Sequence, residues 1–330
     1  MTDARQRGTS PELPTGKPFE VIVTAIRPAA RDTKIYTLAR ADGSTLPAST
    51  PGAHIGVLFP NGLLRDYSLI APEECPRDYT ICVKRETSEG GGSSYLHSKI
   101  SIGDSLLINP PKNNFPLNET APYTILIAGG IGITPIYAML TRLQAIGRDW
   151  ELHYACQTRA DAAFLFELES LANVHLHFDD ESGGRFLPVV KIVANAAPQS
   201  HLYCCGPTPM LATFEAAAAA EKRPAEEIHI EYFKAKFDAD LSGGFTVRLA
   251  RSGQEFPVPP GKTILEVLRD AGISVVSSCE AGVCGACETI LLEGTADHRD
   301  AILSEQERQD GKSMMICCSG AVSDFLVLDL

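Results

Sequence analysis

The stretch SSCEAGVCGACETI, residues 277–290, places three cysteines, Cys279, Cys284 and Cys287, inside nine positions. Their spacing is C-x4-C-x2-C, and Cys317 in MMICCSG supplies a fourth thiol after a long gap. This is the ligand spacing of a plant-type 2Fe-2S centre. Zinc ribbons and fingers pair short C-x2-C or C-x4-C units, often with histidine, and a single three-cysteine loop with one distant cysteine fits them poorly. His298, the nearest histidine, stands at no such spacing. Gly282 and Gly285 fall between the ligands, where a loop wrapped around inorganic sulfide must bring backbone N–H groups close. The small Ala281 and Ala286 agree with that crowding. Cys318 directly follows Cys317, so spacing alone leaves either as the fourth ligand.

The chain around this loop has 330 residues, enough for two or three domains with their own cores. Its composition, 44% hydrophobic and 21% charged, is that of a globular protein, and no apolar run has the length of a membrane span. Residues 1–17 are polar and lack the apolar core of a secretory signal, so a disordered tail and a cytoplasmic product are expected. In that compartment the ten cysteines stay reduced, which argues against a disulfide framework. The net charge of −12 argues against a nucleic-acid partner. Seven basic and thirteen acidic side chains between Gly243 and Leu330 place half of that charge in the last quarter, where a charge-selective docking surface is expected. A negative balance also simply keeps a protein soluble.

Three segments follow from the hydrophobic patterning. Residues 18–117 read as short alternating strands, FEVIVTAIRPA, KIYTLARAD, HIGVLFP, RDYSLIA, YTICVKRE and DSLLINPP, which predict an antiparallel β-barrel. Residues 118–235 change to continuous apolar strands, YTILIAGG, WELHYACQT, VHLHFDD and HLYCCGP, alternating with helical stretches, which predict an α/β domain with a parallel sheet. Residues 236–242 read as a linker. Residues 243–330 open with a hairpin and a helix, carry the cysteine loop and close on the strand FLVLDL, an α+β (β-grasp) arrangement.

Two turns in the parallel-sheet segment suit phosphate. YTILIAGGIGITPI runs from a strand through Gly129, Gly130 and Gly132 into a helix, with Thr134 as expected N-cap and Pro135 at the first helical position. The glycines do not fit G-x-G-x-x-G, and a tight turn without a ligand needs some of the same residues. CCGPTPM repeats the design with Gly206 and Pro207, at the strand end where open sheets hold ligands. Cys205 there stands beside a nicotinamide or simply ends a strand; with no neighbouring His or Lys it is not a nucleophile. In the barrel segment, RDYS offers Arg65, Tyr67 and Ser68, a guanidinium for phosphate and a ring for a flavin face, though half-exposed strands carry such pairs too. VKRETSEGGGSS adds Lys84, glycines 90–92 and Ser93, an anion-binding nest or a flexible tip.

RDYS, VKR with GGGSS, GGIGITP, CCGP, IEYF and CEAGVCGAC with a distant cysteine occur in the order found in the phthalate dioxygenase reductase family, which includes the vanillate demethylase reductases. The resemblance covers nearly the whole chain, from about Phe19 to Leu330. It implies an FMN-binding barrel, an NADH-binding domain and a C-terminal ferredoxin domain. It further implies that Arg65, Tyr67, Ser68, Lys84, Gly92, Ser93 and Thr134 hold FMN, and that Gly130, Gly132, Cys205, Gly206 and Pro207 serve NADH. By the same resemblance Phe233 of IEYF lies where nicotinamide meets flavin, and Cys317 rather than Cys318 completes the cluster. The ferredoxin domain comes last, which points to FMN rather than FAD. Nicotinamide yields two electrons together and a 2Fe-2S cluster accepts one, so a flavin between them is chemically coherent. A plant-type cluster near about −400 mV would be hard for NADH to reduce, so hydrogen bonds from the glycine-bearing loop are expected to raise its potential.

The expected activity is that of a monomeric reductase passing electrons to a separate Rieske-type oxygenase. Neither a Cys-x-His pair nor a two-His-one-carboxylate pattern is evident in the sequence, so the oxygen chemistry is assigned to the partner. A stand-alone NADH:ferredoxin or quinone reductase and an iron-sulfur redox sensor are the alternatives. Arg159 is a candidate for a 2'-phosphate, whereas Asp179 and Asp180 would repel one, and the balance favours NADH.

Overall fold

The computed structural model describes residues 17–60, 62–86 and 91–330. Of the expected tail only Lys17 is described; residues 1–16, and Gly90 of the glycine run, lie outside the described residues.

The first sheet comprises β1 (Phe19–Ala30), β2 (Thr33–Ala39), β3 (His54–Leu58), β4 (Leu64–Ser68), β5 (Asp78–Lys84) and β6 (Ser105–Ile108), all antiparallel in the order β4-β3-β6-β1-β2-β5. Alternate residues of these strands, such as Tyr79, Ile81 and Val83, are buried in one core, as a half-buried strand requires. A bridge between Leu69 and Ile81 joins the end of β4 to β5 and closes the sheet on itself. A helix, α1 (Gly92–Lys99), stands where the sequence suggested a nest or flexible tip.

The second sheet is parallel, ordered β11-β10-β7-β8-β9, with β7 (Tyr123–Gly129), β8 (Trp150–Cys156), β9 (Val174–Phe178), β10 (Ser200–Cys205) and β11 (Ile228–Glu231). Residues 124–129 of β7 are all buried, because helices cover both faces of this central strand. Those helices are α2 (Ile133–Ala145), α3 (Leu165–Leu168), α4 (Val189–Asn195) and α5 (Thr208–Ala220). Leu126, Ala128, Leu152 and Tyr154 pack with α2, while Ile125, Ile127, Leu202 and Cys204 pack with α4 and α5.

The third sheet, ordered β13-β12-β18-β14-β16, comprises β12 (Phe245–Leu249), β13 (Glu255–Val258), β14 (Glu288–Glu293), β16 (Ser313–Met315) and β18 (Phe325–Leu328). β15 (Ala296–Asp297) and β17 (Gly320–Ala321) form a small separate ladder. The first and last strands, β12 and β18, lie parallel at the centre. Helix α6 (Ile264–Asp270) crosses the sheet and starts at a reciprocal cap between Thr263 and Glu266, and α7 (Glu305–Asp310) starts at a matching cap between Ser304 and Glu307.

One local expectation fails. Thr134 is not the N-cap of α2: a 3-10 turn over Gly130–Gly132 precedes the helix, Gly132 takes the cap position and α2 begins at Ile133. The Thr134 hydroxyl instead donates to the Ile131 carbonyl at 3.0 Å, and Pro135 stands third in the helix rather than first.

Candidate functional site

Cys279, Cys284 and Cys287 occupy the loop between α6 and β14, and Cys317 lies between β16 and β17. The four sulfurs form two pairs within hydrogen-bonding reach, Cys284 with Cys279 and Cys287 with Cys317. A single zinc with bonds of about 2.3 Å would draw its four sulfurs to about 3.8 Å from one another. Among the described residues no three of these sulfurs lie within 4.8 Å of each other, an arrangement suited to two metal atoms with one pair apiece. The backbone N–H groups of Ala281 and Val283 point at the Cys279 sulfur and that of Cys279 at Cys284, each at 3.4 Å. Gly282 holds a φ of 68°, which lets the loop turn its N–H groups inward. Cys318 also reaches Cys317, but it is packed in the core and donates to the Met315 carbonyl at 3.7 Å.

This loop is joined directly to the barrel. The Ser278 hydroxyl donates to both carboxylate oxygens of Asp66, each at 3.0 Å, and Asn114 Nδ2 donates to the Cys284 carbonyl at 2.9 Å. Asp66 sits in β4 between Arg65 and Tyr67, so the strand expected to carry flavin and the loop expected to carry iron share a hydrogen bond. A void of about 10 Å3 lined by His54, Gly56, Asp66, Ser278 and Cys284 is the space left between them. Val283 and Ala301 from the cysteine-bearing segment pack against the core of the parallel-sheet domain. All three segments therefore meet at the cysteine loop.

The two glycine turns of the parallel sheet lie side by side at the ends of β7 and β10. A Cβ on Gly132 would lie 2.3 Å from the Cys205 carbonyl oxygen, and one on Gly129 would lie 2.6 Å from Pro207. Gly132 is needed for backbone to approach backbone, and Gly129 for the Pro207 and Met210 side chains to close on the turn. Gly130 differs: its φ is 54° and open space surrounds its Cα, leaving the turn accessible to a ligand. Cys205 is fully buried, and burial, with Glu231 beside it at 3.9 Å, pushes its thiol well above the ordinary range. It is a neutral thiol. Phe233, 42% exposed, follows β11, and the neighbouring Lys234 pairs with Glu86 of the barrel at 3.1 Å.

Helix α1 completes a phosphate-suited cradle. Its start has neither a side-chain cap nor an acidic residue in the first turn, so its positive dipole end suits an anion. Gly92, its first residue, lies against β4, where a Cβ would meet the Tyr67 hydroxyl at 2.9 Å and Phe59 at 2.6 Å. Arg65 is exposed next to it and uses one nitrogen on the Leu64 carbonyl. Ser93 accepts from the Glu86 N–H at 3.1 Å, Ser68 is buried, and Lys84 ends β5. These residues fit a flavin mononucleotide: a phosphate at the helix start and an aromatic ring beside it.

Comparison with known proteins agrees. Residues 126–216 match the oxidoreductase NAD-binding domain and residues 247–322 the 2Fe-2S iron-sulfur cluster binding domain. Tetrachlorobenzoquinone reductase of Sphingobium chlorophenolicum is 47% identical over 94% of this chain and 98% of its own length. The solved phthalate dioxygenase reductase is 38% identical, covers 95% of this chain and 98% of its own, and superposes with a TM-score of 0.71. The chain belongs to the phthalate dioxygenase reductase-like family. An intact type IV self-sufficient cytochrome P450 monooxygenase contains a region with the same arrangement, 35% identical over 95% of this chain and 41% of that one, with a TM-score of 0.84. This reductase is accordingly an NADH-dependent flavin and iron-sulfur oxidoreductase with FMN, NADH and 2Fe-2S modules.

Several residues of this reductase escape a reading by motif. Asp66 lies inside RDYS and Glu231 inside IEYF, yet their roles depend on partners 212 and 26 residues away. Burial, reinforced by the charge of Asp66, pushes the Glu231 carboxyl up to about 8, so it holds a proton at neutral pH beside Cys205. The expected absence of a two-His-one-carboxylate pattern is also corrected: Glu151, His153 and His175 form one. It was hidden because its members stand on two strands and meet only through the pairing of β8 with β9. Among the described residues no helix is long and apolar enough to cross a membrane.

Proposed function

We propose that this chain is the reductase component of a two-component oxygenase, taking electrons from NADH and delivering them to a separate Rieske-type oxygenase acting on an aromatic or similar small acid. The observation that carries this reading is the contact of the cysteine loop with the barrel segment, Ser278 with Asp66 of β4 and Cys284 with Asn114 beyond β6. When bound, FMN converts between two-electron and one-electron carriers and the cluster carries single electrons.

The chain's own residues have assignable tasks. Arg65, Lys84, Gly92, Ser93 and the start of α1 bind the FMN phosphate, Tyr67 and Ser68 flank the ring, and buried Thr134 supports the adjoining turn. Gly130, Gly132, Gly206 and Pro207 shape the NADH turns. Cys205 excludes water where nicotinamide approaches, Phe233 covers the flavin face, and Glu231 holds a proton at its carboxylate oxygen beside the Cys205 sulfur. Cys279, Cys284, Cys287 and Cys317 would hold the 2Fe-2S cluster through their four sulfurs. NADH is favoured over NADPH because Arg159 is engaged by Glu181 at 2.6 Å, with Asp179 and Asp180 adding negative charge nearby. The domain division follows as 18–117, 118–235 and 243–330, in a cytoplasmic, monomeric protein. The acidic ferredoxin surface, with Val276 exposed ahead of the cysteine loop, is the docking face for the oxygenase.

A quinone is the second reading, favoured by the tetrachlorobenzoquinone reductase relative. Steady-state NADH oxidation with purified Rieske oxygenases and with benzoquinones separates the two: efficient turnover with an oxygenase supports the first, and turnover with quinones alone replaces it.

A further inference from the structure

β8 and β9 pair in parallel so that His153 lies directly opposite His175. Glu151 is two residues before His153 and therefore projects from the same face of the sheet. The three side chains converge: Glu151 Oε1 lies 3.3 Å from His153 Nε2, and Oε2 lies 4.0 Å from His175 Nε2. The imidazoles stack with centroids 4.7 Å apart and planes 20° from parallel. One ligand atom from each residue lies within 4.8 Å of the other two. The group opens into a recess of about 540 Å3 whose wall is formed by residues including Leu187, Lys191 and Asn195. None of the recess residues is among those assigned above to FMN, NADH or iron.

We infer that Glu151, His153 and His175 form a binding site for a divalent transition-metal ion of zinc-like preference, with the recess leaving its remaining coordination position to water. One carboxylate oxygen and two imidazole nitrogens are a borderline N/O donor set that zinc accepts with three protein ligands and an open fourth position. Bonds of about 2.0–2.2 Å would draw the three donors closer together than they stand, a shift of about 1 Å. His175, with 54% of its side chain exposed, can move that far without disturbing the core. A carboxylate serving only to satisfy His153 would not require a second, largely exposed imidazole aimed at its other oxygen. The Tyr123 hydroxyl, 3.4 Å from Glu151 Oε2, supports the carboxylate from the next strand. Lys191 lines the same recess but is exposed and free to turn its ammonium to solvent.

The test uses the holoenzyme, with FMN and cluster in place, titrated with Zn2+ in competition with a fluorescent chelator. The wild type is expected to bind one zinc per chain. His153→Gln and His175→Ala are each expected to weaken that binding by at least about tenfold while leaving the flavin and cluster spectra unchanged. His229→Gln, which alters the other stacked histidine pair, His201 with His229, is expected to bind as the wild type does. Anomalous scattering at the zinc edge should place the ion between β8 and β9. An isotherm that is the same in the wild type and both site variants, or no zinc retained at micromolar concentration, overturns the proposal. These outcomes are independent of the oxygenase reading, because the readout is bound metal and not turnover.

Discussion

The two glycine-bearing loops of this reductase use the same residue for opposite reasons. In the nucleotide turns Gly132 is small so that two backbones can touch, with only 2.3 Å between its Cβ position and the Cys205 carbonyl, and Gly129 is small so that Pro207 and Met210 can close on it. In the cysteine loop Gly282 and Gly285 adopt φ values of 68° and 71°, which turn backbone N–H groups toward sulfur. Gly132 is set by space and Gly285 by torsion, while Gly130 brings a φ of 54° into the nucleotide turn and Gly282 combines a positive φ with a Cβ position 2.6 Å from the Cys318 sulfur. Glycine spacing therefore says little about a nucleotide turn of this kind, whereas cysteine spacing says much about a cluster loop.

That difference can be broken by substitution. The largest effect is expected from Cys284→Ser, which removes a ligand: NADH-driven reduction of cytochrome c should fall by at least about two orders of magnitude while NADH still bleaches the flavin. Retained cytochrome reduction would show that the cluster is not on the route. Gly132→Ala should cost about 1–3 kcal/mol by overpacking and weaken NADH binding, as denaturant melts and steady-state KM would report. Gly285→Ala should behave differently, since its nearest neighbour stands at 3.7 Å: about 1 kcal/mol of torsional cost, with the NADH KM unchanged. Equal effects of these two substitutions on NADH affinity would dissolve the comparison.

Smaller effects lie where the loops meet the barrel. The Glu231 carboxyl is raised to about 8 in the fold from an ordinary value near 4.5. Its contribution to stability is therefore complete at low pH and is lost as pH rises from the ordinary glutamate range through about 8. Glu231→Gln should match the wild type near pH 4.5 and be the more stable protein above pH 8, read from thermal midpoints of nucleotide-free protein. A parallel pH profile for both would place the raised carboxyl elsewhere. Ser278→Ala should remove about 1 kcal/mol of contact with Asp66 and slow flavin-to-cluster transfer a few-fold in stopped-flow traces, leaving flavin reduction by NADH untouched.

What the sequence revealed follows the same division. Alternation showed strands such as β1 and β6 because one face of each is buried, and continuous apolar runs showed β7 and β10 because both faces are covered. Helix α1 was hidden because it opens on Gly92, Ser93 and Ser94, poor helix formers that tertiary packing against Phe59 and Tyr67 overrides. Thr134 and Pro135 imitate a helix start, but the 3-10 turn before them moves the true cap to Gly132. Spacing singles out Cys279, Cys284 and Cys287, but it leaves Cys317 and Cys318 open, since that choice depends on how the chain after β16 presents the two sulfurs. Asp66, Glu231 and the Glu151, His153 and His175 group are contacts between segments, which a linear pattern does not carry.

The most direct test of the account is an anaerobic titration of the purified reductase with NADH, followed by visible and EPR spectra alongside metal analysis. The account predicts about one FMN and a 2Fe-2S complement of iron and acid-labile sulfide per chain, with NADH producing the EPR signal of a one-electron-reduced two-iron centre. Zinc in place of iron, or a flavin that NADH reduces while the iron centre stays oxidised, would contradict it.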